Sequence, residues 1–198
     1  MPATLPATGK PRLSSAQLIK RVTDLKKIKM SDHPLVIVGI RGYYKNSMGA
    51  PGVNDRGIYD DAIFVYTPSV MAAFNGNTDP SIYKKGFGKA DKTKGMASLN
   101  PGVWNVYQLA NHRGKYLALC QKFGQVEVTR DGKTNYIDVG YFGINIHKGG
   151  RNTTSSLGCQ TIHPDQWDAF ISLVTDQSKR YFGSRWKNTC IPYVLLAD

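Results

Sequence analysis

The chain has 198 residues, a formal net charge of +12 and a sequence pI near 9.6, a length that fits one domain with its own core. No stretch reaches the apolar length of a membrane-spanning helix and residues 1–10 hold no continuous apolar run, which argues against a bilayer span and a secretory signal peptide. Three cysteines without a CxxC pair argue against a disulfide framework or structural zinc and suit a reducing cytoplasm, while the Lys and Arg surplus favours polyanionic partners but forms no nucleic-acid tail.

Residues 1–13 are rich in Pro and Thr and read as a flexible segment ahead of a single catalytic domain over 14–198. A helix begins near Ser14 or Ser15. Ser14 with Gln17 forms a capping-box pattern, and Leu18, Val22, Leu25 and Ile28 share one face. Residues 35–41 are β-branched and short, a buried strand; 47–57 is a loop rich in Gly, Pro and Asn; 58–66 is a second strand. Residues 75–80 read as a turn and 84–94 as an exposed basic loop. A strand over 103–109 follows the turn at Asn100-Pro101-Gly102, and residues 116–120 form another apolar strand.

Residues 126–130 and 133–138 flank Asp131-Gly132, the signal of a hairpin with a two-residue turn. Residues 141–147 read as a strand ending at His147, and 159–162 resume extended structure. His163-Pro164 opens a helix with Pro at its first position and Trp167, Phe170, Ile171 and Val174 on its buried face. A strand over 191–196 closes the chain.

The chemistry lies between the last two short strands. His147 ends one strand, a polar, Gly- and Ser-rich loop follows, and Cys159 opens the next strand directly after Gly158. Such a connection can bring thiol and imidazole together at the strand ends. A free thiol is mostly protonated at neutral pH and needs a base to become a nucleophile. The imidazole can accept that proton, hold the thiolate as an ion pair, and later protonate a leaving amine. A backbone carbonyl, Asn145 or Asn152 would orient His147. The amides of Gly158 and Cys159 could face an oxyanion, with Ser156 either donating there or bracing the turn.

His147, a polar loop, then Ser156-Leu157-Gly158-Cys159 resembles the catalytic motif of the L,D-transpeptidase (YkuD-type) family. The resemblance covers about residues 140–165 firmly and the strand-rich body from residue 35 loosely. It is closest in kind to phage-encoded endolysin-like members, in which Ile144-Asn145-Ile146-His147 and Gly158-Cys159-Gln160-Thr161-Ile162 recur. It implies an α+β, mainly β fold: a YkuD-like mixed sheet sandwich or barrel with an N-terminal helix and a helix after the catalytic Cys strand. It also implies Cys159 as acyl acceptor, His147 as base, Ser156 and Gly158 in the catalytic corner, and Asn145, Arg151 and Gln160 at the substrate.

The substrate so implied is the peptidoglycan stem peptide, cut at the carbonyl of the diaminopimelate L-centre, with no cofactor and no metal. The chain departs from the family pattern in three ways. Leu157 stands where the family has His, Thr161 stands where it has Arg, and the interval from His to Cys is short. Arg151 and Arg41 are the candidates to replace that arginine as a carboxylate fork.

The resulting expectation is a monomeric lysis enzyme held in the host cytoplasm, released to the periplasm and wall with a holin-type partner, and without a dedicated nucleic-acid site. Cross-linking by transpeptidation, a non-catalytic wall- or nucleic-acid-binding module and a structural virion component are the competing readings. Cys120 and Cys190 read as core thiols, His163 as a helix cap, His112 as a turn residue and His33 as a loop residue. Asp55, Asp60 and Asp61 read as surface ion-pair partners. Tyr43, Tyr44, Trp104 and Tyr107 read as core more readily than as a ligand groove.

Overall fold

The computed structural model describes residues 12–86 and 94–198. Most of the expected flexible segment over 1–13, and the centre of the expected basic loop over 84–94, lie outside the described residues.

The capping box forms as the sequence implies. Ser14 N–H donates to Gln17 Oε1 at 2.8 Å and Gln17 N–H donates to Ser14 Oγ at 3.2 Å. Helix α1 (Ser15–Asp24) follows and buries Leu18 and Val22. These pack with Ile28 and Met30, which lie past the helix end, onto Val36, Val38, Ile40, Phe64 and Val194.

The strands are β1 (Val36–Arg41), β2 (Asp61–Tyr66), β3 (Met71–Asn77), β4 (Ala97–Leu99), β5 (Gly102–His112), β6 (Tyr116–Gln121), β7 (Val126–Arg130), β8 (Tyr136–Gly140), β9 (Ile146–Lys148) and β10 (Gln160–Ile162). Helix α2 (Trp167–Phe182) and strand β11 (Ile191–Ala197) complete the order. Eight strands close a barrel in the order β1-β11-β5-β6-β9-β10-β3-β2, and β4-β7-β8 form a second sheet. The fold is mainly β with two helices.

The barrel is mixed: β1 pairs with β11 and β9 with β10 in parallel, and the other pairs are antiparallel. Strand β1 is apolar on both faces because both are covered. Val36, Val38 and Ile40 meet α1, while Ile37 joins Tyr193, Leu109, Leu119 and Ile146 in the other core cluster. Each such side chain contributes about 1.5–3 kcal/mol of burial. Trp167, Phe170 and Val174 of α2 belong to that second cluster, with Phe170 edge-on to Phe74 at 5.3 Å.

Four local expectations give way to other engagements of the same residues. The stretch 75–80 is not all turn, because Asn75, Gly76 and Asn77 continue β3 and pair with β2 and β10. The Asp131-Gly132 hairpin has no two-residue turn: Arg130 pairs with Tyr136, leaving five residues, 131–135, between the strands. The Asp131 carboxylate is drawn into a two-pronged ion pair with Arg56 at 2.6 and 2.9 Å, so it cannot sit at a free turn tip.

Residues 141–145 leave the sheet; the amides of Phe142 and Ile144 instead donate to Gln121 Oε1 at 3.3 and 3.1 Å. Helix α2 starts at Trp167 and not at Pro164, because His163 captures the next amides: Gln166 N–H donates to its carbonyl at 2.9 Å and Asp165 N–H to its Nδ1 at 3.2 Å.

The acidic group is also a correction. Asp60 and Asp61 are buried, not surface ion-pair partners. Asp61 accepts from the amides of Gly42 and Thr78, and Asp60 Oδ2 from Asp55 N–H at 2.8 Å. Burial pushes the Asp60 carboxyl up to about 7, and burial with neighbouring Asp79 pushes Asp61 up to about 6. No helix among the described residues is long and apolar enough to cross a membrane.

Candidate active site

Strands β9 and β10 are parallel neighbours, joined by a connection over residues 149–159. Gln160 pairs with Ile146, Thr161 with His147 and Ile162 with Lys148. Cys159 therefore stands just before β10, abreast of Asn145, and His147 lies one side-chain period further along the neighbouring strand. The connection is pinned from outside by Tyr59, whose hydroxyl donates to Gly150 O at 2.6 Å, and by Ser81, bonded to Ser156 N–H at 2.7 Å and Thr154 at 2.7 Å.

Gly158 is required at the corner. Its φ of +148° is one that L side chains rarely adopt, and a Cβ there would run into the Ala97 carbonyl oxygen. Ser156 braces the same corner. Its hydroxyl donates to Cys159 O at 2.6 Å and accepts from Gly158 N–H at 3.0 Å. The Gly158 amide is therefore engaged and does not stand open as an oxyanion donor. No hydrogen bond among the described residues engages Cys159 N–H.

Their surroundings favour the neutral forms of both the Cys159 thiol and the His147 imidazole. Cys159 S–H donates to Gly143 O at 3.3 Å, and Asn145 N–H donates to Sγ at 3.4 Å. Burial raises the thiol above its ordinary value against the lowering effects of the Asn145 amide and Arg113. His147 Nδ1 lies 2.8 Å from Lys148 O. A carbonyl can only accept, so Nδ1 carries the proton and Nε2 the lone pair. Burial pushes His147 down to about 4, with His112 and Arg113 acting in the same direction. No hydrogen bond joins Sγ to the imidazole, so the expected thiolate–imidazolium pair is not preformed; burial of both groups favours their uncharged forms.

The orienting acceptor of His147 is a backbone carbonyl, one of the expected alternatives. Asn145 serves another ring. Its Oδ1 accepts from Gln121 N–H at 2.9 Å and its amide nitrogen lies 3.0 Å from His112 Nδ1. His112 ends β5, is buried and stacks on His147 with ring centroids 4.4 Å apart and planes 21° from parallel. It is not the free turn residue the sequence suggested. Arg113 follows it at φ +50° and is the charged side chain that acts on Cys159, His147 and His112 together. Sequence reasoning missed both; the signal was a His-Arg-Gly turn between two apolar strands.

The structure brings Cys159, His147, Ser156, Gly158 and Asn145 together and leaves out three residues weighed for substrate contact. Gln160 is fully buried, its Oε1 accepting from Tyr193 O–H at 3.0 Å and its amide donating to Gly158 O at 3.3 Å, so it holds the barrel interior. Arg151 is exposed and ion-paired with Asp165. Arg41 donates to Thr78 Oγ1, Thr78 O and Leu99 O and pairs with Asp79 at 3.2 Å, leaving no free fork for a carboxylate. His163 caps the turn before α2, and Cys120 is buried.

Among protein-family models, curated proteins and solved structures, none matches this chain.

Proposed function

We propose that the chain is a cysteine peptidase of the L,D-transpeptidase type that hydrolyses stem peptides of bacterial peptidoglycan. One observation carries the chemical part: the parallel pairing of β9 and β10 sets His147, with its Nε2 lone pair unused, one side-chain step from Cys159. The wall substrate rests on the motif His147…Ser156-Leu157-Gly158-Cys159 and on a net charge of +12, which favours a polyanionic envelope.

In this reading the thiol swings from Gly143 O toward His147 as substrate binds. Nε2 takes the S–H proton while sulfur attacks the peptide carbonyl. Cys159 N–H faces the oxyanion, the imidazolium protonates the departing amine, and water attacks the thioester with His147 again as base. The protein reaches the wall from the host cytoplasm through a membrane lesion opened by a holin-type partner.

Purified protein incubated with sacculi is expected to release stem-peptide fragments identified by mass spectrometry. Cys159→Ala and His147→Ala each lower release at least about a thousandfold. Undiminished release by both variants removes the assignment, and amine-capped products in place of hydrolysed ones turn it to cross-linking.

A further inference from the structure

The histidine beside the base has a fixed protonation pattern that can be read from its neighbours. Gln121 N–H can only donate, so the Asn145 atom it meets at 2.9 Å is the oxygen. The other end of that amide is the NH₂ group, which can only donate, and it meets His112 Nδ1 at 3.0 Å. His112 Nδ1 must therefore hold a lone pair, and its proton sits on Nε2. His147 has the opposite tautomer, with its proton on Nδ1 facing Lys148 O.

The two rings lie face to face at 4.4 Å. A proton on His112 would lose the Asn145 bond and set an imidazolium against the ring that must itself become imidazolium. At that distance a like charge opposes the second protonation by more than about tenfold.

We propose that Asn145 and His112 are positioning residues for His147: the Asn145 amide holds His112 neutral in one tautomer, and the neutral ring stacked on the base lets His147 accept the Cys159 proton. This rests on the reading of His147 as base. The charged and titratable groups around the pair are Arg113 at the end of β5, Tyr116 on β6 with its ring 5.6 Å from His112, and Cys159 before β10; Lys148 on β9 meets His147 through its backbone carbonyl. Burial and Arg113 both lower His112, in keeping with a ring built to stay uncharged.

Asn145→Asp is the decisive variant. Its retained oxygen still accepts from Gln121 N–H, while the second oxygen replaces a donor with an acceptor and calls for a proton on His112 Nδ1. Nitrogen-15 NMR of the histidine rings reads tautomer and titration without any substrate. In the wild type His112 shows Nε2–H and His147 shows Nδ1–H. In Asn145→Asp the His112 proton moves to Nδ1, its midpoint rises by about one pH unit or more, and that of His147 falls.

On sacculi at pH 6, kcat of Asn145→Asp falls about tenfold with KM unchanged, and the acid limb of its pH profile moves up. An unchanged His112 tautomer and midpoint in Asn145→Asp overturns the proposal, as does a flipped tautomer that leaves His147 and the acid limb where they were. Should the spectra behave as described while the wild type releases no wall fragments, the coupled histidine pair stands and the wall reading falls.

Discussion

At the scale of single residues, the resting pair of neutral thiol and neutral imidazole sets how the site responds to reagents. Burial raises Cys159 and pushes His147 down, so thiolate is scarce near neutral pH. Alkylation of Cys159 by iodoacetamide is therefore expected to be slower at pH 7 than for a free thiol and still climbing above pH 9. Arg113 lowers the thiol, so Arg113→Ala slows alkylation at a fixed pH near 8; the charge is exposed and screened, and the effect is about twofold. A rate unchanged in Arg113→Ala would separate that guanidinium from the sulfur. Four of these residues were legible in the sequence because Cys159, Gly158, Ser156 and His147 lie within one short segment whose spacing already implied the corner. His112 and Arg113 were not, because only the order β5-β6-β9 brings them to that segment.

At the scale of elements, the corner between β9 and β10 is held by backbone geometry more than by side-chain packing. Gly158 takes φ +148° under the Ala97 carbonyl, and Ser156 bonds both sides of it. Gly158→Ala adds a methyl group that meets backbone in a conformation alanine resists, and is expected to lower stability by about 2 kcal/mol or more while uncoupling Cys159 from β9. Thermal unfolding with thiol titration measures both; full stability with an unaltered thiol would show that the corner relaxes freely. Element prediction succeeded where the local pattern and the tertiary need agreed, as in α1 with its capping box and in β1 and β11 with their unbroken apolar runs. It failed where a side chain or carbonyl had another engagement. Asp131 left the hairpin turn for Arg56, and His163 captured the amides that Pro164 was expected to free for a helix.

At the scale of the whole molecule, the closed barrel buries ionisable groups whose linkages to pH oppose one another. His147 is lowered from 6.5 to about 4, so the fold prefers its neutral form. That contribution is present above pH 6.5 and is lost as pH falls through 4. Asp60 is raised from 3.8 to about 7, so the fold prefers the protonated carboxyl. That contribution is present below pH 3.8 and is lost as pH rises through 7. Asp61 acts in the same sense, up to about 6. Between pH 4 and 6.5 the His147 gain and the Asp60 loss offset each other, so the Asp61 loss sets the sign; the three groups together should lower stability as pH rises from about 4 to about 7.

Asp60→Asn isolates the acidic half of this balance. The amide oxygen can still accept from Asp55 N–H, and the neutral side chain imitates the protonated carboxyl that the fold prefers. The variant should match the wild type below about pH 4 and melt about 3 °C higher at pH 8.5, a difference on the order of 1 kcal/mol for a chain of this size. Asp61→Asn is the contrast, because that carboxylate accepts two backbone amides, from Gly42 and Thr78, and should be less stable at both pH values. A wild-type melting temperature that does not fall between pH 6 and 8.5, with Asp60→Asn parallel to it throughout, would show that Asp60 is already ionised in the fold.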